Sequence, residues 1–169
     1  MIVVRAEAPG DFPAIRRVNE SAFEQPNEAI LVDALRRAAG TYLSLVSEKD
    51  GRVVGHILFT EVRVNSGAGS WDVLGLAPMA VLAEYQRQGI GSHLVRSGLE
   101  ACSRQGHTVV VVLGHPSYYP RFGFVPAAAK GLRCEYPVPD EVFMVTELMP
   151  GALAGRSGLV KYRPEFAEV

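Results

Sequence analysis

Gly89 and Gly91 stand just after Arg87, and from Tyr85 to Leu99 the chain has no Asp or Glu. The apolar spacing of Ile90, Leu94 and Val95 predicts a helix that begins at these glycines. A helix N-terminus carries unpaired N–H groups and partial positive charge, which an acidic residue in the first turn normally complements. Here Arg87 takes that place, and the glycines let a ligand approach bare backbone. A helix end of this kind suits an anion, most often a phosphate. The alternative is an ordinary strand-to-helix turn with two glycines in it.

Two common phosphate loops do not fit. A Walker loop needs Lys then Ser or Thr after its second Gly, and no stretch supplies that. A dinucleotide-binding loop needs a third Gly where Leu94 stands, and an acid about 20 residues further on in a βαβ unit. The run Gln86-Arg87-Gln88-Gly89-Ile90-Gly91 instead resembles the Q/R-x-x-G-x-G/A signature of the GNAT N-acetyltransferases. In that family the loop amides hold the pyrophosphate of acetyl-CoA.

The elements around the loop follow from punctuation and periodicity. Ile2 to Arg5 reads as a strand, and Asp11 is placed to cap a helix carrying Phe12, Ile15 and Val18. After Pro26 a second helix carries Ile30, Leu31, Ala34, Leu35 and Ala38, and Gly40 ends it. Strands are expected over Tyr42 to Glu48 and Arg52 to Arg63, joined at Lys49-Asp50-Gly51. Asn65 to Ser70 reads as a mobile loop. Asp72 to Ala83 reads as a long strand bulged or splayed at Pro78, which cannot donate to a ladder. The helix after the glycines runs to about Gln105, where Gly106 stops it. Thr108 to Leu113 is apolar and mostly β-branched, the pattern of a strand covered on both faces. Gly114 to Phe124 reads as a one- or two-turn helix closing on Gly123-Phe124. Val125 to Asp140 reads as a loop with one short strand, and Phe143 to Leu148 and Gly158 to Tyr162 as the last strands.

This order predicts one mixed α/β domain over residues 1–169. It agrees with the GNAT fold: a mixed, mostly antiparallel sheet, one splayed parallel strand pair and flanking helices. The segment His115-Pro116-Ser117-Tyr118-Tyr119-Pro120-Arg121-Phe122-Gly123-Phe124 resembles one that is distinctive of a bacterial branch of the family.

At 169 residues and 48% hydrophobic content the chain can bury one good core. Its net charge of −1 and lack of a basic block argue against nucleic acid as a partner. Its apolar runs fall far short of the ~20 residues a membrane span needs. Two distant cysteines, Cys102 and Cys134, suggest neither a disulfide framework nor a zinc site, so a reducing cytoplasm is expected. No two histidines have metal-ligand spacing. His56 is expected to be packed or at a sheet edge, with His93 and His107 solvated.

The resemblance implies acetyl transfer from acetyl-CoA to a primary amine. Backbone N–H groups near Val81 and Leu82 would polarise the thioester carbonyl. The amides of Gln86, Arg87, Gln88, Gly89, Ile90, Gly91 and Ser92 would anchor the pyrophosphate. Tyr119, four residues before Gly123, occupies the position of the family's general acid, and a phenol with pKa near 10 can protonate the departing thiolate. Tyr118 is a minor alternative. Family members often have Asn at the end of the preceding strand, where this chain has His115. Glu24, Glu61, Asp72, Glu84 or a water chain could take the amine's proton. The acceptor, a small molecule or a peptide amine, would be walled by the Phe23 to Asn27 link and the Ala127 to Asp140 loop. Exposed strand edges make a homodimer conceivable. The competing readings are a non-catalytic acyl-CoA-binding or sensing module of the same fold, and a nucleotide- or phosphosugar-binding protein.

Overall fold

In the computed structural model, residues 1–38, 40 and 42–168 are described. Among them three helices, α1 (Phe12–Phe23), α2 (Asn27–Ala38) and α3 (Ile90–Arg104), accompany nine strands. The strands are β1 (Ile2–Ala6), β2 (Tyr42–Lys49), β3 (Arg52–Ser66), β4 (Gly69–Val81), β5 (Val109–Leu113), β6 (Val125–Pro126), β7 (Leu132–Cys134), β8 (Phe143–Glu147) and β9 (Gly158–Lys161). Hydrogen-bonded neighbours run β1-β2-β3-β4-β5-β8-β6, with β9 pairing both β3 and β7. The chain divides into two compact units, and β3, β4 and α3 each contribute to both.

The first unit comprises Met1–Thr60, Ala77–Glu100 and the residues from Pro164 on. β1 pairs antiparallel with β2, and β2 with β3. The β2–β3 turn needs left-handed backbone at two successive residues, and Asp50 (φ 51°) and Gly51 (φ 81°) supply it. Ile15 and Val18 of α1 are buried, as are Leu31, Val32 and Leu35 of α2. Ile30 is exposed instead, because the apolar run Ala29 to Val32 presents Ala29 and Val32 to the core and turns Ile30 outward. Asp11 precedes α1, but its carboxylate accepts from the Ala8 N–H at 2.7 Å and from Arg5 at 2.7 and 3.0 Å. It fixes the entry to the helix rather than capping its first turn.

A polar chain runs through this unit. Asn19 Nδ2 donates to the Ile15 carbonyl and to His56 Nδ1 (3.2 Å). That leaves His56 Nε2–H to donate to Ser44 Oγ (2.9 Å), which donates to Glu7 (2.6 Å). Arg36 grips Glu7 with Nε and Nη2, reaches Asp33 with Nη1, and lies 3.8 Å from the Phe12 ring centroid. His56 is packed, as expected. Burial, aided by the Arg36 charge, pushes its pKa down to about 3.

The second unit comprises Glu61–Leu76 and Ala101–Arg163. β4 and β5 are parallel, in register from Leu74↔Val110 to Leu76↔Val112, and β8 lies antiparallel to β5. Val109 to Val112 are all buried, the packing their β-branched run predicts. The β4–β5 register covers Leu74 to Leu76, whereas β4 runs on through Pro78 to Val81. Asn65 to Ser70 is no long loop. β3 extends to Ser66 and β4 begins at Gly69, because β9 pairs with Arg63, Val64 and Asn65 and prolongs β3 into polar sequence. The stretch after Phe124 is likewise more ordered than expected, with β6, β7 and short 3-10 turns at Ala127–Lys130 and Asp140–Val142. At the end of α3, Gly106 (φ 91°) donates to Ser103 and His107 to Cys102, a Schellman closure. That closure half-buries His107, which is therefore not simply solvated.

Candidate active site

The glycine loop sits where β4 gives way to α3. A single 3-10 turn, Ala83–Tyr85, leads into Gln86. Arg87 (φ 63°) and Gly89 (φ 85°) are left-handed, with Gln88 at negative φ between them. Alternation of this kind turns successive N–H groups toward one side and forms a concavity for an anion. Helix α3 follows at once, has no acid in its first turn, and its His93 N–H donates to the Gly89 carbonyl (3.0 Å). Helix geometry gives the amides of Ile90 and Gly91 no carbonyl one turn back. A Cβ built on Gly89 meets nothing within 4 Å, so open space lies beside the backbone.

The loop is held in shape by its own side chains. Gln86 Nε2 donates to the Val81 carbonyl (2.9 Å) and Gln88 Nε2 to the Glu84 carbonyl (3.3 Å). Two expected donors are already used. The Gln86 N–H donates to Ala83, and the Leu82 N–H donates to the Val54 carbonyl at 2.9 Å. Leu82 therefore cannot polarise a thioester with that group. N–H direction alternates along an extended strand, so Val81 presents its N–H on the edge of β4 away from β3. Sequence reasoning missed two nearby cations. Lys49 and Arg52, from the β2–β3 turn, lie 5.4 and 5.8 Å from the Tyr85 ring centroid. Their only signal was their place flanking Asp50-Gly51.

In the second unit, Tyr119 opens a 3-10 turn, Tyr119–Phe122, that ends on left-handed Gly123 (φ 93°). The carbonyl of His115 accepts from the N–H groups of Tyr118 and Tyr119. The Tyr119 ring is buried edge-on against Tyr118, Phe122 and Phe124, with centroids 5.1 to 6.3 Å away. It also fills the space where Gly114 would carry a Cβ, which explains Gly at that position. Burial pushes the phenol up to about 12, so it holds its proton across the physiological range. Tyr118 differs: it is half-buried, and the Arg121 guanidinium lies 4.7 Å from its ring centroid.

The four carboxylates fall in different places. Glu24 ends α1 in left-handed conformation and is exposed. Glu61 is half-buried on β3. Asp72, near the start of β4, pairs with Arg63 (3.5 Å), and Glu84 pairs with Arg52 (3.5 Å). Among the described residues no three His, Cys, Asp or Glu side chains cluster as metal ligands.

The acetyltransferase (GNAT) domain family matches residues 3–127. The chain is 39% identical over 166 residues to the uncharacterized N-acetyltransferase YhbS of Escherichia coli, covering 98% of each. The chain belongs to the GNAT acetyltransferase family. The crystal structure of E. coli YhbS in complex with CoA matches with a TM-score of 0.91 at 38% identity, over 98% of this chain and 92% of that one. A GNAT acetyltransferase from Brucella melitensis, in complex with acetyl-CoA, matches with a TM-score of 0.80 at 36% identity over 98% of each. One GNAT fold, with the parallel β4–β5 pair in a mixed open sheet, thus spans the chain. The protein is an acetyl-CoA-dependent GNAT N-acetyltransferase.

Proposed function

We propose that this GNAT enzyme transfers the acetyl group directly to a primary amine, with the amides from Arg87 to Ser92 holding the pyrophosphate of acetyl-CoA. The observation that carries this reading is the loop itself: left-handed Arg87 and Gly89, an acid-free first turn of α3, and Gln86 and Gln88 bracing the backbone from within. Arg87, with Lys49 near Tyr85, adds positive charge around it, while Arg52 is answered by Glu84. The Val81 N–H donates to the thioester carbonyl oxygen, where negative charge grows as the amine attacks. Leu82 and Gln86 line the site without lending their own N–H groups.

As the C–N bond forms and the C–S bond breaks, the amine loses a proton to water and the sulfur gains one from the Tyr119 hydroxyl. Tyr119 recovers its proton from solvent. A phenol pushed up to about 12 stays protonated and so is available as the acid; its transfer to the less basic thiolate runs uphill and is completed when Tyr119 recovers its proton from solvent. The ion pairs of Asp72 and Glu84 favour water as the first acceptor of the amine's proton. The acceptor is a small-molecule or peptide amine. Free cysteines and balanced charge suit the bacterial cytoplasm.

The test is the Tyr119→Phe variant, assayed for CoA release with a panel of amines alongside its affinity for acetyl-CoA. An acid role predicts lost turnover with affinity intact. Equal turnover removes Tyr119 from the mechanism, and no turnover with any amine in the wild type favours the binding-module reading.

A further inference from the structure

The second unit carries an assembly of charge to which the proposed acetyl transfer, through Val81, the glycine loop and Tyr119, gives no role. β9 lies between β3 and β7, with Arg63 opposite Lys161, and Leu159 opposite both Asn65 and Arg133. Alternation sends Val64, Val160 and Leu132 into the core and turns Arg63, Lys161 and Arg133 to the other face. Like charges directly opposite on neighbouring strands repel. Asp72 answers Arg63 at 3.5 Å, and the Glu135 carboxylate is turned to the Tyr162 N–H. Arg133 and Lys161 have no carboxylate partner among the described residues, and they sit diagonally on adjacent strands, since Arg133 lies opposite Leu159, two residues before Lys161.

Both line a depression of about 330 Å3 that contains no acidic residue. Its wall includes the exposed Ser157 and two glycines that keep the backbone close. Gly158 must lack a side chain, because a Cβ there would stand 2.5 Å from the Asn65 carbonyl oxygen. Gly131 is left-handed (φ 82°) and packs against Ser157. Two unanswered cations and a hydroxyl within a concavity of small-ligand size match the chemistry of a phosphate group.

We propose that this face is a second anion site, which binds the phosphate of a small phosphorylated ligand between Arg133 and Lys161. The site lies wholly within the second unit and does not depend on the glycine loop's role. It tolerates repulsion when empty and gains two charge-assisted contacts when filled.

The experiment is residue-resolved NMR of the full chain, titrated at constant ionic strength with inorganic phosphate and, separately, with ribose 5-phosphate. Amide shifts at residues 131–134 and 157–161 should saturate with a dissociation constant of about 1 mM or below. The double variant R133Q/K161Q should weaken that binding by about 100-fold, since each of the two charged contacts is worth roughly tenfold. Tighter binding of the sugar phosphate identifies an organic phosphate as ligand, and equal binding identifies inorganic phosphate. Shifts confined to residues 86–92, or shifts at the β7–β9 face that persist unchanged in R133Q/K161Q, would overturn the proposal.

Discussion

His56 makes stability depend on pH in a way that can be worked out. It is fully buried and neutral, accepts from Asn19 at Nδ1, and donates to Ser44 at Nε2. Its pKa is pushed down to about 3 in the fold, against about 6.5 when unfolded. The folded state therefore binds fewer protons in that window. The stability is present above pH 6.5 and is lost as pH falls toward 3. At pH 5 the native imidazole is still neutral while the unfolded one is almost wholly charged. The loss relative to pH 7.5 is then about 2 kcal/mol, and it is set almost entirely by the unfolded-state pKa. Urea unfolding of the wild type at the two pH values should show this loss as a lower midpoint with an unchanged slope. His56→Gln keeps a side chain able to bond Asn19 and Ser44, and carries no titrating group. Its midpoint should be lower at pH 7.5 but nearly flat down to pH 5. A variant with the full pH dependence of the wild type would refute the assignment to His56.

Three further outcomes follow from the packing and the chemistry. Arg36→Gln leaves the buried Glu7 carboxylate without its cation and should cost about 3 kcal/mol in urea unfolding. Gly98→Ala improves helix propensity, yet its Cβ would stand 2.5 Å from the Phe59 ring, so a net loss of roughly 1–3 kcal/mol is expected. Equal or greater stability of that variant would mean that α3 and β3 part easily there. Tyr119→Phe should lower kcat about 100-fold while the KM for acetyl-CoA stays within a factor of two or so. Because the phenol holds its proton to about pH 12, wild-type kcat should show no alkaline loss attributable to Tyr119 up to about pH 10.

Local signals carried a good part of the fold. Val109 to Val112 could hardly be anything but a covered strand, though Leu113, expected to be covered with them, is exposed, and Lys49-Asp50-Gly51 had the residues a tight hairpin needs. The glycine loop was legible because its chemistry is mostly backbone, and Gly89, Gly91 and the missing acid are visible in six residues. Errors arose where distant pairing decided the outcome. Asn65 and Ser66 are polar and look like loop, but β9, almost a hundred residues later, makes them strand. Ile30 looked like core because four consecutive apolar residues leave the helical phase undetermined. The Asn19–His56–Ser44–Glu7–Arg36 chain joins four elements across 12 to 37 residues of sequence, beyond any local pattern. In the site, the hydrogen bonds of Leu82 and Gln86 depend on Val54 and Ala83, so only the folded chain shows which amides are already taken.

The central claim is that backbone from Arg87 to Ser92 anchors acetyl-CoA. Calorimetric titration of acetyl-CoA into the wild type and into Gly89→Val tests it most directly. Valine would strain a left-handed position (φ 85°) and fill the open space beside it. Micromolar binding by the wild type, lost in a variant that is strained by about 1–3 kcal/mol yet still unfolds cooperatively, is the predicted result. Equal affinity in both proteins, or no heat at millimolar acetyl-CoA in either, would contradict the account.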